Sequence, residues 1–285
     1  MDGAAGGPAC TPTEGGPAWA AWPMPDPTMS AAPNSPRYDT SSPDVVVDLL
    51  TGLVWQLVVD PAGRAWQDAK AFCDCSELGG FDDWRLPSRI ELVSLVDFTK
   101  TSPAIDAAAF AQTPSDYFWS SSLVAGTPSA AWYVYFLDGN THSAGLDTPH
   151  SARCVRSMTS VTPPSPRYGI PGDGTVVDVA STLVWQRDVD ANLRTWNEAK
   201  NRCAILSLAG SGWRLPNMKE LQTLIDETAM NPAIDSTALG DAPPDAFWTS
   251  TPLAADATQA WFVSFYSGVA YTSTLDRAYH TRCVR

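Results

Sequence analysis

The chain has 285 residues and a net charge of −13, with 44% hydrophobic and 17% charged residues. That is enough for two domains of ordinary size and too apolar for a disordered protein. An acidic chain with no basic stripe is repelled by DNA, RNA and anionic lipid, which excludes nucleic acid as a partner. No apolar run approaches the ~18–20 residues of a membrane span. Met1-Asp2-Gly3-Ala4-Ala5-Gly6-Gly7 also lacks the basic start and apolar stretch of a secretory leader.

Residues 1–33 are rich in Pro, Gly and Ala and read as an extended arm carrying Cys10, Trp19 and Trp22. Beyond the arm the chain says nearly the same thing twice. Pro36-Arg37-Tyr38 returns as Pro166-Arg167-Tyr168, and Trp66-Gln67-Asp68-Ala69-Lys70 as Trp196-Asn197-Glu198-Ala199-Lys200. Trp84-Arg85-Leu86-Pro87 returns as Trp213-Arg214-Leu215-Pro216, and Arg153-Cys154-Val155-Arg156 as Arg282-Cys283-Val284-Arg285. The offset is 130 residues between Cys73 and Cys203 and 129 between Cys154 and Cys283. So long a period marks a duplicated domain, not a solenoid. The chain therefore divides into the arm, repeat one (34–157) and repeat two (158–285), joined by a proline-containing linker at about 157–166.

Both repeats predict the same elements. A strand through Val45–Asp48 (Val176–Asp178) turns into a second through Leu53–Gln56 (Leu183–Gln186). A helix follows at about 65–76 (195–207), with Trp66, Ala69 and Cys73 on one face. A second spans about 88–98 (217–227), where Ser88 or Asn217 with Glu91 or Glu220 forms a capping-box pattern. Phe118-Trp119-Ser120 and Phe247-Trp248-Thr249 open a strand region. The strands that follow alternate, with Trp132, Val134 and Phe136, or Trp261, Val263 and Phe265, on one face. Arg-Cys-Val-Arg closes each unit as a strand. The pattern predicts an α+β fold of two tandem domains, each with two helices and short, twisted antiparallel sheets.

The duplication also orders the cysteines, whose pairing sequence alone normally leaves open. Cys73 and Cys154 correspond to Cys203 and Cys283, so the expected bridges are Cys73–Cys154 and Cys203–Cys283. Cys10 and Cys75 have no counterparts and are left to pair with each other. Reduced cytosolic thiols are the alternative reading, but matched cysteines favour an oxidising compartment, hence a secreted or cell-surface protein. Zinc is not expected, because Cys73-Asp74-Cys75 lacks the usual spacing and no second pair follows.

The set Thr51-Gly52-Leu53-Val54-Trp55-Gln56, Trp66-x-x-Ala69-Lys70-x-x-Cys73, Trp84-Arg85-Leu86-Pro87-x-x-x-Glu91-Leu92, Phe118-Trp119-Ser120-Ser121 and Arg153-Cys154-Val155-Arg156 resembles the Lcl C-terminal domain family. The resemblance covers nearly all of residues 44–156 and 174–285; Ser181-Thr182 replaces Thr51-Gly52 in repeat two. It implies a C-type-lectin-like, disulfide-linked, surface-exposed binding domain of a bacterial adhesin type, with glycosaminoglycan as one class of ligand.

Every tryptophan except Trp19 and Trp22 has a counterpart in the other repeat, which assigns the matched ones to core packing. The matched charges Arg85/Arg214, Glu91/Glu220, Asp97/Asp226, Asp106/Asp235, Asp116/Asp245 and Arg153/Arg282 are read as caps, loop anchors and ion pairs. Candidate ligand-binding residues are instead those that differ between repeats late in each unit. They are Tyr133, Tyr135, Asp138, Asn140, His142 and His150 in repeat one, and Phe262, Tyr266, Tyr271, Arg277 and Tyr279 in repeat two. Outward aromatics can stack on a sugar or a protein surface, and the polar groups can hydrogen-bond.

No nucleophile elbow, zinc-protease motif or phosphate loop is present, the histidines occupy no aligned pair, and no enzyme, cofactor or metal is expected. Asp82-Asp83 suggests calcium, but Ser211-Gly212 replaces it in repeat two. The leading expectation is a non-catalytic adhesin-like protein that recognises a glycan or a surface protein through its late loops. A heavily sulfated glycan would require a basic patch from Arg187, Arg194, Lys200 and Arg202. Two further readings are a structural subunit of a surface assembly that self-associates through Trp19 and Trp22, and a diversified lectin-fold receptor.

Overall fold

The structure is a computed structural model that describes residues 37–60, 62–158, 165–240 and 242–285. The arm with Cys10, Trp19 and Trp22, and therefore the expected Cys10–Cys75 bridge, lies outside the described residues.

Repeat one runs β1 (Tyr38–Asp39), β2 (Val45–Asp48), β3 (Leu53–Gln56), α1 (Trp66–Asp74), α2 (Arg89–Leu95), β4 (Tyr117–Val124), β5 (Thr127–Tyr135), β6 (Asn140–Gly145) and β7 (Val155–Ser157). Repeat two runs β8 (Tyr168–Gly169), β9 (Thr175–Asp178), β10 (Val184–Gln186), α3 (Trp196–Ala204), α4 (Met218–Gln222), α5 (Ser236–Leu239), β11 (Ala246–Leu253), β12 (Asp256–Ser264) and β13 (Ala270–Thr274). All strand pairs are antiparallel.

The helix starts follow their local chemistry. Ser88 and Asn217 accept the N3 amides of Glu91 and Glu220, and each Glu carboxylate returns to the cap amide at 2.8 Å. The same carboxylates hold Arg85 and Arg214 in forked ion pairs of 2.6–2.8 Å. The helix ends depart from expectation. The apolar pattern continues past α2, yet Val96 turns extended and bridges Ile105, as Ile225 bridges Ile234 in repeat two. That pairing buries Val96 and Ile105 completely, which a further helical turn would not do. The final strand also differs between repeats. β7 is a true ladder on β3, whereas Val284 makes only isolated bridges to Trp185 and Arg214.

Both bridges expected from the duplication are present, Cys73–Cys154 and Cys203–Cys283, and no described cysteine is free. Each ties the inner face of α1 or α3 to the closing segment. The matched arginines Arg153 and Arg282 are buried without a carboxylate partner. Arg153 donates to the Gln56 and Leu57 carbonyls and to Thr113 Oγ1, and Arg282 to the carbonyls of Gln186, Arg187 and Leu239.

The repeats are not independent units. β6 and β13 meet at Thr141 and Ala270 and join the two three-stranded meanders into one six-stranded sheet of order β11-β12-β13-β6-β5-β4. Thr141 and Ala270 are equivalent positions, so a local two-fold axis passes between them, as in an isologous dimer. One apolar cluster contains residues of both repeats, among them Phe98, Phe136, Trp261 and Phe265, and each repeat has a smaller cluster of its own around its disulfide. Phe98 of repeat one packs edge-on against Trp261 of repeat two, with ring centroids 5.5 Å apart. Arg89, 1% exposed, lies over Trp132 and donates across the junction to Glu227 (2.9 Å) and the Gly268 carbonyl (2.7 Å). Gly139 and Gly268 turn the corners beside this contact at positive φ. A Cβ on Gly139 would fall 2.5 Å from Val96, and one on Gly268 2.8 Å from Ile225.

Two predictions follow from this packing. Each disulfide closes a loop of about 80 residues, so Cys203→Ser with Cys283→Ser should cost about 2–5 kcal/mol in denaturant unfolding. Lys219 is buried, donates to the Ser94 carbonyl at 2.8 Å, and faces Arg37, Asp97 and Asp48. Burial, reinforced by Arg37, pushes its ammonium well below the usual 10.5. The unfolded chain then binds that proton more tightly, so stability rises with pH from the folded value up to about 10.5. Lys219→Met should flatten this alkaline rise in urea midpoints measured from pH 7 to 10.

Candidate functional site

The six-stranded sheet has two faces. One carries Phe118, Val134 and Phe136 with Phe247, Val263 and Phe265 into the shared core. Residues one step along point the other way, and their cross-strand register sets them in a row. In repeat one Trp119 pairs with Tyr133 and Tyr133 with His142; in repeat two Trp248 pairs with Phe262 and Phe262 with Tyr271. The β6–β13 junction brings the two triplets together, with His142 and Tyr271 rings 5.8 Å apart. The result is an aromatic row crossing all six strands.

Its ends and centre differ in exposure. Trp119 and Trp248 are fully buried beneath the α1 and α3 sides, with their indole N–H groups donating to Arg64 and Arg194 carbonyls. Between them Tyr133, His142, Tyr271 and Phe262 are half-buried. His150 packs on Trp119, Tyr133 and Tyr117 at 4.4, 4.9 and 5.2 Å, and Tyr279 takes the equivalent place on Phe262 and Trp248 at 4.7 and 4.8 Å. The backbones of Arg64 and Arg194 bridge those of His150 and Tyr279, which fixes both side chains against the row. Repeat one extends further: Tyr117 and Tyr135 stack at 4.2 Å, where repeat two has Ala246 and Ser264.

Seven of the sequence candidates therefore come together: Tyr133, Tyr135, His142, His150, Phe262, Tyr271 and Tyr279. Four do not. Asp138 and Asn140 form the β5–β6 turn, where Asp138 Oδ1 accepts the Asn140 N–H at 2.9 Å. Tyr266 is exposed in the β12–β13 turn, and Arg277 is exposed in the turn after β13. The β5–β6 and β12–β13 turns lean on Val96, Phe98 and Ile225, so their glycines serve the fold. Tyr117 was missed by sequence reasoning, although it alternates with Phe118 on β4 and so shares the outward face of Trp119.

The row is electrically quiet. Burial pushes the phenols of Tyr133, Tyr135 and Tyr271 up, so they stay neutral hydroxyls that both donate and accept. Nδ1 of His142 lies 2.8 Å from the Ser143 nitrogen and 3.1 Å from the Ser143 carbonyl oxygen, so the Ser143 backbone holds the ring in either tautomer. The residues of the suggested basic patch are engaged elsewhere: Arg194 and Arg202 share Asp190, Arg187 binds Asp188, and Lys200 lies over Trp196. Asp83 is held by Arg156, and among the described residues no His/Cys/Asp/Glu group of metal-binding size occurs. The arrangement suits stacking against a flat, uncharged face with a few hydroxyl contacts.

The family model described as Lcl C-terminal domain matches the chain twice, over residues 44–156 and 174–285. The chain belongs to the Lcl C-terminal domain family. The two matches correspond to the two repeats, so the six-stranded sheet is a junction between two Lcl C-terminal domains. No curated protein matches the chain significantly. Among the described residues no helix is long and apolar enough to cross a membrane.

His150 on this face and His280, stacked on Phe247 on the other, give the sheet a pH signature. Burial pushes His150 and His280 below the ordinary 6.5, and Asp245, 3.7 Å from His280, offsets this only in part. The unfolded chain then binds these protons more tightly, so stability present above pH 6.5 is lost as pH falls through the folded values. Replacing each histidine by the other repeat's residue (His150→Tyr, His280→Ser) should flatten the change in urea midpoint between pH 7 and 5.

Proposed function

We propose that the tandem Lcl C-terminal domains form a non-catalytic, secreted or cell-surface binding protein of C-type-lectin-like fold, which recognises a glycan through the aromatic row. The observation that carries this reading is the continuity of Tyr135, Tyr133, His142, Tyr271 and Phe262 across the junction. Aromatic faces stack on the C–H faces of sugars, and phenol hydroxyls serve the sugar hydroxyls. The paired disulfides suit an oxidising compartment. The neutral row and the charge of −13 favour an uncharged glycan over a sulfated one.

A glycan array read with the full chain tests the proposal. Tyr133→Ala with Tyr271→Ala should weaken binding about 5- to 100-fold, because each ring contributes about 0.5–1.5 kcal/mol beyond its area. Tyr266→Ala with Arg277→Ala should leave binding unchanged. Absence of binding to every glycan at any salt overturns the reading.

A further inference from the structure

A cavity of about 650 Å³ lies where the repeats meet, walled by Ile90 of repeat one and by Tyr168, Ile170, Leu224, Ile225 and Gln222 of repeat two. Gln222 has no place in a purely structural account. It is 1% exposed, and neither its Nε2 nor its Oε1 has a hydrogen-bond partner. Its equivalent in repeat one is Val93, fully buried, so the fold at this position is satisfied by an apolar residue. An unpaired primary amide facing an apolar cavity marks a place for an occupant that carries both a donor and an acceptor.

The local two-fold axis generates a second such position, and that one is filled. Ile90 is equivalent to Lys219, and Thr223, which lines the cavity, to Ser94. Lys219 reaches across the junction and ends on the Ser94 carbonyl, while the shorter Ile90 leaves its side open. Of the two equivalent positions one is thus open, and the chain has one segment without a counterpart: the arm. The arm also holds Trp19 and Trp22, the two tryptophans unmatched between repeats.

We propose that this cavity is the docking site of the chain's own arm, taking the Trp19–Trp22 stretch. The indole offers an apolar body with a single N–H for Gln222 Oε1, and the backbone of the stretch offers carbonyls for Gln222 Nε2. Residues 15–25 carry no charge, so no like-charge repulsion opposes them at a rim that includes Asp226, Glu227 and Asp235 with Arg167. The arm starts close by. The described chain begins at Arg37, which donates to the same Ser94 carbonyl as Lys219, at 3.0 Å; Gln222 is one turn of α4 beyond Lys219. The residues between Trp22 and Arg37, at roughly 3 Å each when extended, span this separation with ease. Tethering keeps the arm at an effective concentration of about millimolar without a partner molecule.

Hydrogen exchange read by mass spectrometry on the full-length protein tests the proposal. In the wild type, amides of Trp19–Trp22 should exchange about tenfold or more slowly than a free chain, at a rate independent of protein concentration. Trp19→Ala with Trp22→Ala should deprotect peptides covering 166–170 and 222–228. Ile90→Lys, which copies the filled side, should release the arm while peptides of β4–β6 stay unchanged. Free-chain exchange in the wild-type arm, or cavity peptides indifferent to both variants, overturns the proposal. Protection that grows with concentration also overturns it, since a second copy would then supply the arm.

Discussion

The meeting of β6 and β13 is the constraint on which the remaining structure depends. Each repeat folds its late strands into a three-stranded meander whose last strand is an edge, and an open edge presents unpaired amides and carbonyls. Placing the two edges against each other at Thr141 and Ala270 pairs them at that point and makes the sheet continuous. Because equivalent residues meet, the contact is two-fold, and everything built on either face of the sheet is brought to its counterpart. The inner faces fuse into one core around Phe98, Trp261 and Arg89. The outer faces fuse into one aromatic row, closed at its flanks by the disulfide-held helices.

Within this symmetric frame the sequence copies have diverged where they cross the junction. Arg89 is opposed by Met218, Ile90 by Lys219, Phe98 by Glu227, and Val93 by Gln222. Arg89 is buried and pairs with the half-buried Glu227, and removing that partner would leave the guanidinium without its carboxylate. Lys219 and Gln222 are of another kind: one is an amine held by a backbone carbonyl, the other an amide with no partner. Buried polar groups of this sort weaken a core unless something else depends on them. Their placement on opposite sides of the same axis makes one side of the junction filled and the other hollow.

Much of the fold was legible because two kinds of local signal agreed. The capping boxes at Ser88 and Asn217 rest on spacing alone. The pairing of Cys73 with Cys154 rests on the duplication, which acts as an internal alignment. The matched tryptophans were assigned to the core for the same reason; Trp55, Trp84, Trp119 and Trp132 are buried, as are Trp185, Trp213, Trp248 and Trp261, and Trp196 is half-buried. The ends of α2 and α4 were misjudged because apolar periodicity persists through Val96 and Phe98. There a non-local pairing to Ile105 determines the backbone, and periodicity carries no information about it. Tyr133, Tyr135 and Phe262 were found by strand alternation, and His142 and Tyr271 because the stretch between the late Trp and the final Cys differs between the copies. Asp138, Asn140, Tyr266 and Arg277 were grouped with them only because they are near in sequence.

The amino-acid sequence by itself therefore determined the elements, the two disulfides, the family and the residues that leave the core, since each follows from short-range spacing or from comparison of the copies. Only the tertiary structure decided that the repeats share a sheet and a core, that their outward aromatics become one surface, and that one of two equivalent positions at the junction stays open. Those outcomes depend on contacts between residues 125 to 179 positions apart, where periodicity and turn chemistry have no reach. Edge pairing and shape complementarity alone select them.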